Sequence, residues 1–296
     1  MTTGQESPDQ LTFMAIHAHP DDEVFTTGGT FALLAERGVR TVLVTATGGE
    51  EGQIVDPALD RQAKEQLFPR LVEVRRKELE AAAEILHISV LHRLGYRDSG
   101  MARTRANNHP DSFHRVIFDE AVRRVVAIIR EFRPQVIVTY DPFGVYGHPD
   151  HIQAHRVTVA AFEVAGDARC FPDLPYTAWQ PQKLYYTAIP RSQFERLAQE
   201  MQARGVPGPW DNPRMNVALM GTADELITTR IDVSSYLEQK MRAFRAYRTQ
   251  VAPDSFVFAL PEEQRRLALG YEHFVLAHRP LPTHTGGLEQ DLFAGL

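Results

Sequence analysis

Four times in the first 165 residues, a short run rich in Val, Ile and Thr gives way to a polar loop and then to a stretch of helical periodicity. The runs are residues 12–17, Arg40–Ala46, Ser89–Arg93 and Val136–Tyr140. The helical stretches cover about Thr27–Arg37, Val72–Leu86 and Phe113–Phe132, with a fourth ending near Ala165. Gly38 stands where a helix C-cap glycine belongs, and the third stretch stops before Pro134. Strands that alternate with helices in this way predict an α/β fold. The sheet is expected to be Rossmann-like and mostly parallel, with helices on both faces and the active site at the C-terminal ends of the strands. Parallel strands buried on both faces read as continuous apolar runs, as Phe13-Met14-Ala15-Ile16 and Val136-Ile137-Val138 do.

The remainder is less regular. Residues 1–10 read as a disordered lead and 11–296 as a single domain with a C-terminal extension after about 170. That extension reads as a strand at Lys183–Thr187, a helix at Arg191–Ala203, a strand at Ala223–Ile231 and a helix at Val233–Arg248. The tail 270–296 is weakly periodic, and residues 53–70, with two prolines, fit no single element. Hydrophobic residues make up 43% of the chain, enough for a sizeable core, and the net charge of −6 gives no electrostatic case for nucleic acid or an anionic membrane. One cysteine, Cys170, excludes a disulfide framework and argues against a thiolate metal site. With no signal-like or membrane-length apolar segment, a cytoplasmic protein is expected. Composition leaves the oligomeric state open and allows a homo-oligomer.

Two clusters of imidazoles and carboxylates stand just past predicted strand ends: His19-Pro20-Asp21-Asp22 and His148-Pro149-Asp150-His151. A lone His-Pro-Asp is most often a turn, and an Asp ahead of a helix is most often its cap. Two such clusters, both at strand ends, are better explained by one shared ion. Catalytic zinc takes three protein ligands and leaves a position for water. His19 and Asp22 are three apart in a turn, and His151 could supply the third ligand. Asp21 and His148 are then left for proton transfer and oxyanion stabilisation. Asp150 is placed to orient His148 through a hydrogen bond, or simply to cap the helix that begins there. His17 and His155 read as packing or supporting residues. His87, His92, His109, His114, His273, His278 and His284 show no partner pattern.

Ala18-His19-Pro20-Asp21-Asp22-Glu23, together with His148-Pro149-Asp150-His151, resembles the LmbE-like (PIG-L-type) zinc deacetylases. The resemblance covers nearly the whole chain. Gly49-Glu50-Glu51-Gly52, Arg97-Asp98-Ser99-Gly100-Met101 and Tyr140-Asp141-Pro142 look like the bacterial branch that holds an N-acetylglucosaminyl-inositol deacetylase and a mycothiol S-conjugate amidase. The resemblance implies zinc ligands at His19, Asp22 and His151, a general base at Asp21, and an oxyanion and leaving-group histidine at His148. It implies a mobile, carbonyl-polarising tyrosine at Tyr146. Arg75 and Asp98 match substrate-binding residues, and Glu51 and Met101, in the same motifs, join them. By themselves Arg75 would read as a solvated helix charge, Asp98 as a turn residue and Tyr146 as a packed loop aromatic.

Some positions depart from the pattern. Val145 precedes Tyr146 where relatives carry a second glycine, which would stiffen the loop. Thr26 stands where the amidase tends to have lysine, which favours a deacetylase. Gly52-Gln53-Ile54-Val55-Asp56-Pro57 and Gln180-Pro181-Gln182-Lys183-Leu184-Tyr185-Tyr186 look more like the amidase, as Glu289–Leu296 looks like the deacetylase. The expectation is a metal-dependent hydrolase acting on a small-molecule sugar conjugate, removing the acetyl group of an N-acetylglucosaminide of inositol or malate type. Zn2+ is the expected cofactor, although Fe2+ and other divalent transition metals suit the same ligands. The S-conjugate amidase is the alternative. A non-haem Fe(II) oxygenase would use the same ligand set but would leave Asp21 without a task. A nucleotide-binding module would need a G-x-G-x-x-G after the first strand, which is missing.

Overall fold

A computed structural model describes residues 10–206, 208, 211, 220–278 and 287–296. The expected disordered lead, apart from Gln10, and His284 lie outside the described residues. Among the described residues, seven strands form one sheet in the order β3-β2-β1-β4-β5-β7-β6. These are β1 (Thr12–His17), β2 (Arg40–Thr47), β3 (Val90–Tyr96), β4 (Val136–Thr139), β5 (Lys183–Ala188), β6 (Thr229–Asp232) and β7 (Tyr271–His278). The first five run parallel, and β7 pairs antiparallel with both β5 and β6.

β1 is the keystone. It pairs with β2 from Thr12↔Arg40 to His17↔Thr45, and with β4 at Phe13↔Val136, Met14↔Ile137 and Ala15↔Val138. Its side chains alternate between faces. Phe13 and Ala15 join a core with α2 (Gly28–Glu36), α4 (Leu71–Ile85) and α9 (Leu237–Ala246). Met14 and Ile16 join the opposite core with α5 (Phe118–Phe132) and α7 (Pro149–Val164). Both faces are therefore covered, and residues 13–16 are at most 1% exposed. Each buried side chain of this kind contributes roughly 1.5–3 kcal/mol, so β1 can hardly slip in register. The order in which successive strands are added reverses between β1 and β4, although the two run parallel. That switch point opens a crevice at the strand ends, and both His-Pro-Asp loops face it.

Several boundaries differ from the sequence reading. A short helix α1 (Asp22–Thr26) precedes α2. Residues 53–70 contain a helix α3 (Arg61–Leu67), capped by the Asp60 side chain. The helix expected from Phe113 begins at Phe118. Phe113 is instead pinned to the end of β3, its ring stacked on Tyr96 and its N–H donating to the Arg97 carbonyl at 2.8 Å. The strand expected at Ala223–Ile231 shortens to β6, and the helix expected at Val233–Arg248 shortens to α9. The remaining helices are α6 (Gly144–Gly147, a single turn), α8 (Arg191–Ala203), α10 (Phe256–Ala259) and α11 (Glu262–Leu269).

The weakly periodic tail supplies β7, which lies inside the sheet. Its alternation was hidden by Glu272, a charged residue at a buried position. The Glu272 carboxylate accepts the N–H groups of Gly29 and Thr30, each at 2.8 Å, and so caps α2. It also pairs with the buried Lys240 ammonium at 2.6 Å. α2 makes no side-chain cap bond at its own N-cap residue; the cap arrives from more than 240 residues away. Among the described residues, no helix is long and apolar enough to cross a membrane.

Candidate metal centre

The loop after β1 and the start of α7 bring His19, Asp22 and His151 together. His19 Nδ1 lies 3.2 Å from Asp22 Oδ2 and 3.3 Å from His151 Nε2, and the latter lies 3.3 Å from Asp22 Oδ2. Ligand atoms around a tetrahedral ion with bonds of about 2.0–2.1 Å are separated by about 3.3–3.4 Å. The triangle thus has the edge lengths of three tetrahedral positions. Two ring nitrogens and a carboxylate oxygen facing one point oppose their lone pairs unless a cation sits among them. The residues fit a divalent ion by chemistry and by spacing.

Electrostatics agree with that fit. Burial alone would depress the pKa of His19, but Asp98, Asp150 and Asp22 outweigh it and raise it well above the ordinary range. Burial would raise the pKa of Asp22, but His151 and His19 hold it well below the usual carboxylate value. The site therefore favours positive charge at its centre. Asp22 Oδ2 also accepts the His19 N–H at 2.8 Å and the Tyr140 hydroxyl at 2.8 Å, while that hydroxyl accepts the Ala18 N–H at 2.7 Å. The His151 ring stacks on Tyr140 with centroids 4.1 Å apart. Gly144 permits this packing: its φ is 68°, and a Cβ there would meet that of His151 at 2.7 Å.

The far nitrogen of His19 faces two carboxylates, Asp150 Oδ2 at 3.2 Å and Asp98 Oδ1 at 3.6 Å. They hold the proton on Nε2, which would leave the Nδ1 lone pair to a bound ion in place of a second proton. This corrects the sequence reading of Asp150. Its carboxylate does not reach for His148; it holds His19, anchored by the Ser99 N–H at 2.9 Å and the Ser99 hydroxyl. The bond to His148 comes from the Asp150 backbone, whose N–H donates to His148 Nδ1 at 3.2 Å. The helix cap is therefore His148 itself, not Asp150. The physical reason is direction. The helical turn at Asp150 aims its side chain back toward β1 and its N–H at the cap.

His148 comes close enough to be considered a ligand, within 4.8 Å of donor atoms on His19 and His151. Its accepted hydrogen bond argues otherwise. An imidazole that accepts at Nδ1 carries its proton on Nε2, and a protonated nitrogen cannot coordinate. His148 is a neutral N–H donor, and burial, His19 and His151 keep its pKa well below the ordinary value. Its ring meets that of His19 edge-on at 4.6 Å. The Tyr146 ring sits 4.9 Å from that of His151 and 6.0 Å from that of His148. Burial, then Asp22, raises the Tyr146 pKa, so the phenol stays protonated.

Asp21 stands beside the triangle in a left-handed conformation, φ 104°. Its N–H donates to Glu23 Oε2 at 3.1 Å, and its carboxylate lies 3.3 Å from Arg75 Nη2. Burial pushes its pKa up to about 7, against the pull of Arg75. Arg75 itself is 3% exposed and donates to the Gly49 carbonyl at 2.5 Å and to the Pro20 carbonyl. Its guanidinium ties the β1 and β2 loops together, a second task beside the expected grip on substrate. Asp98 accepts the N–H groups of Gly100 at 2.7 Å and Glu51 at 3.3 Å. Glu51 accepts from Arg97 at 2.6 Å.

Arg75, Asp98, Glu51 and Met101 line one polar pocket of about 190 Å³ with Asp21, Tyr146 and His148. Gln250 lines it too, and no local signal in the sequence marked that residue. Ser99 and Tyr140 were also missed as contributors, although each lies in a motif already quoted. His17 and His155 are supports, as expected. His17 Nε2 meets Thr27 Oγ1 at 3.0 Å, with its pKa lowered to about 4 by burial, and His155 Nδ1 meets the Tyr140 carbonyl at 2.9 Å.

A family model described as PIG-L, GlcNAc-PI de-N-acetylase, matches residues 14–162. A 1D-myo-inositol 2-acetamido-2-deoxy-alpha-D-glucopyranoside deacetylase of Thermobifida fusca is 46% identical over 95% of this chain and 98% of its own. This chain belongs to the PIG-L family. A relative with the same name from Catenulispora acidiphila is 42% identical over 96% of this chain and 88% of its own. Among solved structures, the N,N'-diacetylchitobiose deacetylase of Pyrococcus horikoshii superposes with a TM-score of 0.58 at 18% identity, over 90% of this chain and 84% of that one. At that identity the likeness is one of PIG-L fold. The PIG-L match holds both His-Pro-Asp loops and stops just short of the end of α7, so β5, β6 and β7 lie beyond it.

Proposed function

We propose that this chain is a metal-dependent hydrolase that removes the acetyl group from an N-acetylglucosaminyl conjugate, with N-acetylglucosaminyl-inositol as the leading substrate. One observation carries the reading: the His19–Asp22–His151 triangle has tetrahedral edge lengths, and Asp21 stands beside it outside the ligand set. Two imidazoles and a carboxylate suit Zn2+ first and Fe2+ second. The substrate follows the names of the curated relatives that align along nearly the whole chain.

A bound ion would supply Lewis-acid polarisation of the amide carbonyl and lower the pKa of water at the site. The geometry supports these roles for the protein's own residues. Asp21, with its pKa near 7, accepts a proton from the attacking water near neutral pH. His148 Nε2–H and the Tyr146 phenol, both neutral donors, face the developing oxyanion. Asp21 then returns its proton to the departing amine. Arg75 limits how long the proton stays, because its guanidinium favours the ionised carboxylate. Asp98, Glu51, Met101 and Gln250 form the polar wall against which sugar and aglycone hydroxyls bind.

Acetate release from N-acetylglucosaminyl-inositol tests the reading. Activity is expected to vanish with a chelator and to return with Zn2+ or Fe2+. Turnover that survives complete metal removal would refute it. An S-conjugate amidase would cut the same kind of bond with a larger acyl group, so a thiol conjugate belongs in the same assay.

A further inference from the structure

A second cavity opens from the same centre and shares Asp21, Asp22 and Tyr146 with the polar pocket. It measures about 360 Å³, and Asp21, Asp22, Tyr146 and His151 are part of its wall. The rest is mainly apolar: Phe25, Val145, Ile189, Phe194, Leu197 and Phe256. Asp98, Glu51, Arg75 and His148 line the polar pocket and not this cavity. A carbonyl reacting beside Asp21 and Tyr146 would therefore adjoin both a polar room and an apolar one.

An acetyl group brings a single methyl to that apolar room. An apolar cavity of roughly 150 Å³ already accommodates benzene, and this one is more than twice that size. Lys240 and Glu272 reach its wall, but they are paired at 2.6 Å and offer a ligand no free charge. Val145 adds an independent observation. It lines the cavity with φ 66° and ψ −51°, a conformation that costs a β-branched residue roughly 1–3 kcal/mol. Glycine would avoid that cost but would leave the wall beside Tyr146 without its methyl groups.

We propose that this cavity takes the acyl part of the scissile amide, and that the chain hydrolyses N-acyl glucosaminides with unbranched chains of about four to eight carbons as well as acetyl. The inference rests on the hydrolase reading above. The reaction balances as any amide hydrolysis does: the C–N bond breaks, the carbonyl carbon gains the water oxygen, the nitrogen gains both water protons, and a carboxylate and a protonated amine leave. The chain lies in the cavity with its carbonyl at the ligand triangle, while the sugar stays in the polar pocket. Acetyl fits but leaves most of the apolar wall uncovered.

The test is a panel of methyl glucosaminides carrying N-acetyl, N-butyryl, N-hexanoyl or N-dodecanoyl groups, plus octyl N-acetylglucosaminide, with amine release measured on the metal-loaded protein. kcat/KM is expected to rise from acetyl to hexanoyl by up to about fourfold per buried methylene, and to fall for dodecanoyl. Leu197→Trp fills the cavity and should lower the hexanoyl-to-acetyl ratio at least tenfold. The wild-type series decides the matter even if that variant fails to fold. Acetate release with no butyrate or hexanoate release overturns the proposal and leaves the deacetylase reading standing. A gain for the octyl glycoside that Leu197→Trp abolishes, with no gain along the acyl series, assigns the cavity to the aglycone and overturns it too. No amine release from any substrate sinks both readings.

Discussion

Asp150 offers the sharpest test of how the centre is held. Its carboxylate accepts the Ser99 N–H at 2.9 Å, the Ser99 hydroxyl, and the His19 Nε2–H at 3.2 Å. Asp150→Ala removes the acceptor from all three and leaves buried donors unpaired. A hydrogen bond to a charged group contributes about 1.5–3 kcal/mol, and supports of metal ligands typically matter by 10–100-fold in metal affinity. The two magnitudes agree, since about 1.4 kcal/mol is a factor of ten. Asp150→Ala is therefore expected to weaken metal binding about 100-fold. Asp150→Asn keeps an oxygen for His19 and loses only the charge, so about tenfold is expected. Competition for Zn2+ against a chromophoric chelator, at fixed pH, measures both. If the carboxylate acted through His148 instead, both variants would lose turnover while holding metal as tightly as the unaltered protein. That result would refute the assignment.

Three further expectations follow from the same structure. Asp21→Asn should keep the metal but lower kcat by about 10²–10⁴-fold, and full turnover in a metal-loaded variant would end its role as base. Lys240→Met should destabilise the fold by about 3–5 kcal/mol, because it strands the buried Glu272 carboxylate, and adding Glu272→Gln should recover part of the loss; urea unfolding of the single variant with a change below about 1 kcal/mol would show the pair to be dispensable. Val145→Gly relieves a left-handed valine but adds freedom to the unfolded chain, so a net gain of at most about 1 kcal/mol is expected in thermal unfolding; a clear loss would mean that the valine's packing outweighs its strain.

Much of the site was legible because its chemistry is local. His19 and Asp22 share one turn, and His148 and His151 flank one helix start, so each half could be read from adjacent letters. The strands that aim them were legible because burial on both faces forces a continuous apolar run. Elements whose determinants are distant were harder to read. β7 was hidden because Glu272 breaks its pattern, and that carboxylate is tolerated only through Lys240 and the N–H groups of α2. The helix expected from Phe113 began later because Phe113–Arg115 form a separate 3-10 turn tied to the end of β3. Gln250 gave no signal, since its place in the polar pocket depends on how α9 packs.

The sequence by itself determined the sheet's parallel half and the two loops and pointed to a ligand set, because residue type and period carry that information along the chain. Only the tertiary structure decided that Asp150 serves His19 and not His148, and that Arg75 ties two loops together. It also placed a mainly apolar cavity against Asp21, Asp22, Tyr146 and His151. Each of these depends on which way a side chain points once separate segments have packed, and direction in space is settled by contacts between residues far apart in sequence.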